Sequence, residues 1–521
     1  MIPTALSAAR RSAELTALAD RPTVDVVVIG GGITGTGIAL DAASRGLSVV
    51  LVDKHDLAFG TSRWSSKLVH GGLRYLATGN VGIARRSSVE RGILMTRTAP
   101  HLVSAMAQLV PLLPAMSRSQ RALVRVGFQA GDMLRVMAGT KSSVLPRPRR
   151  ISREEAIALA PAVRRAGLDG ALLAYDGQLI DDARLVVAVA RTAAQHGATI
   201  LTRVAASAAT GSSVRLTDEL TGESFDLAAR AVINAAGVWA AEVDSSIRLR
   251  PSRGTHLVFD ASSFGNPTAA LTIPIPGETN RFVFAMPEQL GRVYLGLTDE
   301  EAPGPIPDVP EPTPQEVGFL LDTVNTALQT TLTTADVTGA YAGLRPLIDA
   351  GDQRAGAERP GDGNSRTSDL SRDHAVLEND SGMFSIVGGK LTEYRLMAQD
   401  VLDRALAARG LSATPCQTRN LPLVGANFVG SQHVSGDYPA SLVARYGAEA
   451  SAVIASARCA RPADPVCAGI DVTRAEFEFA VTHEGALDVD DILDRRTRIG
   501  LVAADRDRAV TTAEEMLATA R

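Results

Sequence analysis

The stretch from Val24 to Asp53, VDVVVIGGGITGTGIALDAASRGLSVVLVD, constrains what this chain can become more than any other. Val26 to Ile29 reads as a buried strand, Gly30 to Gly32 and then Gly35 as a glycine turn opening a helix, and Gly46 as its stop. A second apolar strand then ends at Asp53. Gly30 lets the chain leave the strand sharply, Gly32 leaves room for a pyrophosphate to approach the backbone, and Gly35 lets the helix pack on the sheet. The helix N-terminus points free N–H groups and its positive dipole end at phosphate. Asp53 falls roughly 20 residues past the turn, where a carboxylate accepts hydrogen bonds from a ribose. Together these parts predict a dinucleotide site.

At 521 residues the chain is too long for one core, so two or three domains are expected. A net charge of −4 supplies no overall basic field for a nucleic-acid partner. The three cysteines, Cys416, Cys459 and Cys467, are odd in number and lack metal-ligand spacing, which reads as reduced thiols in a cytoplasmic protein, with no metal. No run reaches the ~18 apolar residues of a spanning helix. Leu102 to Met116 comes nearest, but Gln108, Pro111 and Pro114 break it, so a buried strand pair is predicted there. Residues 1–22 have no apolar h-region and read as a helical or frayed extension rather than a signal peptide.

After Asp53, GTSRWSSKLVHGGLRY (60–75) is dense in small hydroxyls and glycines beside the nucleotide turn. Thr61, Ser62, Ser65 and Ser66 are placed to reach phosphate or ring polar atoms, and Lys67, His70 and Arg74 to face a substrate. Over 121–138, Leu123, Val126, Ala130, Met133, Leu134 and Met137 recur at helical spacing among Arg118, Arg121, Arg125 and Arg135. Such a basic amphipathic helix lies either on an anionic membrane surface or on the protein's own core, and the sequence leaves both open. A helix opened by Ser152 follows, then a long helix to His196 and the strand 199–204. A hairpin around Thr221–Gly222 feeds RAVINAAG (230–237), a strand that closes onto a dinucleotide through Ala236 and Gly237, with Val204 on the neighbouring strand. Residues 248–300 alternate strand and turn and predict a mixed sheet. The segment 303–314 reads as a proline-rich linker, and 350–369 as polar chain without a core. FSIVGGK (384–390) repeats the strand-to-glycine turn through Gly388 and Gly389, with Leu391 and Thr392 opening a helix whose dipole meets an anionic group. Beyond about residue 420 the pattern is helical.

With these motifs in order, the chain resembles the FAD-dependent glycerol-3-phosphate dehydrogenases of the D-amino-acid-oxidase-like flavoprotein superfamily. The resemblance runs from Val24 to the C-terminus through SSKLVHGGLRYL, DGQLIDDARLV, INAAGVW, RGTHLV, GLTDEE, AGLRPL, SRDHAV and VGGKLTEYR. It implies a mixed α/β and α+β architecture. A discontinuous Rossmann-like FAD-binding domain is expected over 23–100, 180–247 and 375–412, a mixed-sheet substrate domain over 101–179 and 248–374, and a helical C-terminal domain over 420–521, after an N-terminal extension (1–22). The implied reaction moves a hydride from C2 of sn-glycerol 3-phosphate to flavin N5, giving dihydroxyacetone phosphate, with electrons passed on to a membrane quinone. The expected location is the cytoplasm, peripherally on the inner face of the cell membrane, with a homodimer as the oligomer considered.

A dianionic phosphate needs several cations, and the motifs offer Arg74, Arg345, Arg372 and Lys390. Loss of the carbinol proton needs a base, for which His256 ranks first and His70 second, with Arg345 stabilising developing alkoxide. Tyr75 and Thr298 complete the substrate pocket, and Gly30, Gly32, Gly35 and Asp53 hold the FAD. Two positions depart from the family pattern: Arg253 stands where some relatives carry lysine, and Ala77 where a polar residue is frequent. The alternatives are a glycerol-3-phosphate oxidase that uses oxygen and releases peroxide, an amino-acid oxidase, and a non-catalytic nucleotide-binding protein.

Overall fold

The computed structural model describes residues 3–20, 23–72, 80–278, 281–349, 373–426 and 438–520. The first strand, Thr23–Ile29, is covered on both sides because its apolar run has no polar face. Val26 and Val28 point into one core with Val49 and Leu51, while Val27 and Ile29 point into a second with Val50 and Val52. This strand pairs in parallel with Val49–Asp53 on one side and Ser224–Asn234 on the other. Thr199–Thr202 and Phe384–Gly388 extend the parallel set at its two ends. Strands 150 or more residues apart in sequence thus share one sheet, as a discontinuous Rossmann-like layer requires.

Helices Ile33–Ser44, Asp182–Gln195 and Tyr394–Arg409 cover one face. Gly37 lets two of them approach, since a Cβ there would meet the Tyr394 ring at 2.8 Å. The hairpin Ser213–Asp218 with Ser224–Asn234 forms in the predicted place and contributes to the other face. So does the N-terminal helix Ala8–Ala19, capped by Ser7. The strand expected over 199–204 is broken at Arg203, whose φ of +55° sends Val204–Ser207 off as a separate strand.

A second, mixed sheet carries Ser252–Asp260 between Arg292–Gly296 and Gly339–Arg345. Val103–Pro111 and Ala171–Leu179 pair antiparallel in the same sheet, so the apolar run near residue 102 is one member of a buried strand pair. Helix Pro314–Asn325, closed by a Thr313–Glu316 capping box, packs under this sheet. The polar segment 350–369 lies outside the described residues.

The C-terminal helices meet the rest of the chain through buried ion pairs. Arg184 binds Glu484 at 2.7 Å, and Arg191 binds Glu449 at 2.8 Å. Asp56 accepts from Arg495 and Arg496, both at 2.7 Å. Burial alone would raise the Asp56 carboxyl, but the two guanidinium groups hold it well below the usual carboxylate range. The stability this supplies is therefore present above the ordinary carboxylate pKa and is lost as pH falls below it. Asp56→Ala leaves the buried Arg496 without a carboxylate partner among the described residues and Arg495 with Asp491 as its main one, and is expected to cost about 3–5 kcal/mol in chemical denaturation; a cost below ~1 kcal/mol would contradict this description of the interface.

Candidate active site

The carboxyl ends of the parallel strands bring Gly30, Asp53, Asn234 and Gly388 to one edge of the sheet, the edge where open α/β sheets bind ligands. Gly30 holds φ at +114°, and a Cβ there would press on the Ala235 carbonyl oxygen at 2.6 Å. A Cβ on Gly35 would overlap the Gly30 carbonyl outright. Both positions therefore require glycine.

Gly32 caps the helix, and the amides at its start already point to acceptors. Gly31 donates to Asp53 Oδ2 at 2.6 Å, and Ile33 to Ser62 Oγ at 2.9 Å. Asp53 also accepts from His55 N at 2.7 Å, yet burial outweighs these bonds and pushes its carboxyl up to about 6. The fully buried Asn234 orients the closing strand end, accepting from Ala236 N and donating to Ser385 Oγ. Gly237 takes φ +59°, and Val204 is fully buried. Gly388 and Gly389 both have positive φ, leading through Lys390 into Leu391–Glu393, where Thr392 is buried. This cradle of glycines, helix start and ribose-height carboxylate fits FAD.

The hydroxyl-rich loop behaves differently from its sequence expectation. Thr61 donates to Leu344 O at 2.6 Å, and Ser65 Oγ accepts from Lys67 N at 3.0 Å, so both hydroxyls are engaged by the protein. Lys67, expected to face a substrate, turns inward and is only 1% exposed. Its ammonium donates to Asp182 Oδ1 at 2.8 Å and Arg63 O at 2.9 Å.

His256 sits mid-strand between Gly296 and Tyr341. A Cβ on Gly296 would run into the imidazole, which stacks on Tyr341 at 4.7 Å and 11°. Nε2 is hydrogen-bonded to Ser66 Oγ at 2.9 Å, while Nδ1 is buried with no partner among the described residues. Burial, then the nearby charges of Lys67 and Arg345, lower its pKa to about 3. The ring is therefore neutral across the working pH range.

Arg345 reaches back across the same strands, donating to Ser252 Oγ at 3.2 Å and Thr298 O at 3.3 Å. Thr298 turns its hydroxyl to Glu316 at 2.9 Å, and Glu316 also pairs with Arg253 at 2.9 Å. Its side chain belongs to that buried network, and its carbonyl faces Arg345. His70 is half-buried just past Leu68–Val69. Arg74, Tyr75 and Arg372 lie outside the described residues. Lys390 pairs with Glu393 at 3.2 Å and contacts Ser87; burial lowers it to about 8. Asp373, His374 and Glu393 cluster within 4.8 Å, but Arg86 and Lys390 already meet the acids with positive charge.

The structure thus gathers His256, Ser66, Arg345 and Thr298 around one strand, with the glycine cradle at the neighbouring sheet edge. Sequence reading missed Tyr341 and Asp182. The last acid of DGQLIDD, Asp182, was the only visible signal, and nothing in the sequence indicated a partner 115 residues away.

A family model described as FAD dependent oxidoreductase matches residues 25–393, and one described as the C-terminal domain of alpha-glycerophosphate oxidase matches residues 416–520. Glycerol-3-phosphate dehydrogenase 1 of Mycobacterium tuberculosis is 72% identical over 515 residues, covering 98% of each chain. The aerobic glycerol-3-phosphate dehydrogenase of Staphylococcus aureus is 35% identical, covering 78% of this chain and 72% of its own. Among solved structures, glycerol-3-phosphate dehydrogenase from Bacillus halodurans complexed with FAD superposes with a TM-score of 0.73 at 26% identity, covering 98% of this chain and 94% of that one. FAD is the cofactor of this chain.

Gly35→Ala is expected to push the helix off Gly30 and to cut the flavin absorbance retained on purification at least ~tenfold. Full flavin content in that variant would contradict the role given to the turn.

Proposed function

The chain belongs to the FAD-dependent glycerol-3-phosphate dehydrogenase family, and on that premise we propose that it oxidises sn-glycerol 3-phosphate to dihydroxyacetone phosphate and passes the electrons to a membrane quinone. The observation that carries the reading is the buried, neutral and unpartnered His256 Nδ1 beside Arg345. When bound, FAD supplies a two-electron hydride acceptor.

In the tautomer whose Nε2–H donates to Ser66, Nδ1 is a bare lone pair that takes the C2 hydroxyl proton of the substrate. A low basicity suffices, because the hydroxyl becomes strongly acidic as hydride leaves its carbon. Arg345 balances the charge that builds on that oxygen. His70 is the second candidate for the proton. Arg74, Tyr75, Arg372 and Lys390 are the proposed phosphate and substrate side chains, with Lys390 cationic below about pH 8, and Thr298 supports the pocket through its carbonyl on Arg345. The domain division is proposed as read from the sequence: FAD-binding residues 23–100, 180–247 and 375–412, substrate-domain residues 101–179 and 248–374, and a C-terminal domain over 420–521, with Leu68–Val69 reaching into the second sheet.

The quinone reading rests on helix Arg118–Met137. Val124, Phe128 and Leu134 pack inward. Leu123, Val126, Met133, Val136 and Met137 face out, with Val126 65% and Met133 66% exposed. Arg118, Arg125, Lys141 and Arg147 around it make no ion pair among the described residues. An apolar stripe rimmed by cations fits an anionic bilayer surface, and no described helix is long and apolar enough to cross a membrane. On this reading the enzyme lies peripherally on the cytoplasmic side of that bilayer. The match of residues 416–520 to an oxidase domain keeps oxygen as the competing acceptor; rapid peroxide release during turnover would decide for it.

Glycerol 3-phosphate should bleach the flavin anaerobically where glycerol and D-alanine do not; failure to bleach overturns the assignment. His256→Gln should slow flavin reduction about 10²–10⁴-fold. The wild-type rate at saturating substrate should show no inflection near pH 6.5, because burial holds the His256 pKa down at about 3. An inflection there would transfer the base role to His70. Val126→Glu/Met133→Glu should abolish cosedimentation with anionic vesicles while sparing flavin reduction, and retained binding would remove the helix from the membrane reading.

A further inference from the structure

Lys67 has one buried carboxylate partner, one aromatic face and one carbonyl to satisfy, and the first two lead to the loop and ring that hold His256. Its φ of +55° turns the chain so that the ammonium returns beneath the Ser65–Ser66 loop. There it binds Asp182 Oδ1, whose other oxygen accepts from Ser65 N at 2.9 Å. The ammonium also lies 5.1 Å from the Tyr341 ring centroid. Tyr341 donates its hydroxyl to Ser65 O at 2.9 Å and stacks its ring on His256. Arg63 O, the third acceptor of Lys67, also accepts from Arg498 Nη2 at 2.8 Å. Arg498 pairs in turn with Asp181 at 3.3 Å.

We propose that Lys67, clamped by Asp182, is the positioning residue of the Ser66–His256 pair, holding the Tyr341–His256 stack in place and keeping its ammonium beside the imidazole. The proposal rests on His256 being the proton acceptor named above. Every element against that ring bears on it. Ser66 bonds it from the loop, Lys67 and Arg345 oppose its protonation, and Asp182 favours it. Tyr341 stays a neutral phenol, its pKa raised well above the ordinary value by burial. Behind Lys67 stand Asp181 and Arg498. A deleted Lys67 charge should therefore make His256 easier to protonate, while burial keeps it below an exposed histidine.

The test measures the limiting rate of anaerobic flavin reduction by saturating glycerol 3-phosphate between pH 4 and 9. Saturation removes the substrate phosphate's own titration, which acts on binding. Lys67→Met should retain its flavin, keep the half-saturating substrate concentration within ~twofold, and lower the limiting rate about 10–100-fold, at or below the low end of direct general-base effects, because Lys67 acts through His256. An acid limb absent from the wild type should enter above pH 4, and Lys67→Arg should restore the wild-type profile shape. If the unpaired Asp182 prevents folding, Lys67→Met/Asp182→Asn removes both charges and should show a smaller shift of the same sign.

A crystal structure of whichever variant folds reads the arrangement without turnover. It should show the Ser66–His256 hydrogen bond broken and the ring tilted off Tyr341. An unchanged Ser66–His256–Tyr341 arrangement, or a wild-type pH profile in a flavin-replete variant, overturns the proposal. A wild type that glycerol 3-phosphate fails to reduce would instead overturn the function, and the crystal structure would still decide for or against Lys67.

Discussion

Three arginines within four residues of the C-terminal segment, Arg495, Arg496 and Arg498, fix the loop on which the candidate site is built. Arg495 and Arg496 close on Asp56, just past the strand that ends in Asp53. Arg498 donates to the carbonyl of Arg63, which also receives Lys67. The run from Asp53 to Lys67 is thereby held at both ends by charge that has no access to water. Buried pairs of this kind do not stabilise much against an apolar alternative, but breaking one is costly. Their effect here is to specify a single path for an otherwise polar loop.

That path carries the two halves of the chemistry. At its start, Asp53 and Ser62 meet the first amides of the glycine-turn helix, setting the cofactor end. At its finish, Ser66 reaches His256 on the other sheet. Thr61 ties the middle to Leu344, one residue before Arg345. The nucleotide cradle and the reacting end of the site are thus registered against each other by one short segment, with the C-terminal helices as its backing. Such registration matters because hydride transfer depends on donor and acceptor being held in line.

Much of this was legible in the sequence where the cause is local. Glycines at 30, 32 and 35 follow from backbone sterics, and the helix cap at Ser152 from the orphan amides of a helix start. The helix over 118–137 was readable as a helix, but not its orientation. Apolar residues occupy both of its sides, so periodicity could not say which one the core would take. Lys67 was misread for a related reason: its inward turn depends on Asp182, a partner fixed only by the tertiary fold. His256 was found by motif, while its full burial, and hence its depressed pKa, came from packing against Gly296 and Tyr341.

We propose that this chain removes hydride from C2 of glycerol 3-phosphate at the site around His256 and Arg345. The most direct measurement is the rate of anaerobic flavin reduction with substrate deuterated at C2 against the unlabelled compound. The account predicts complete bleaching with both and a severalfold slower rate with deuterium. Equal rates under conditions where the chemical step is observed, or no bleaching by either compound, would contradict it.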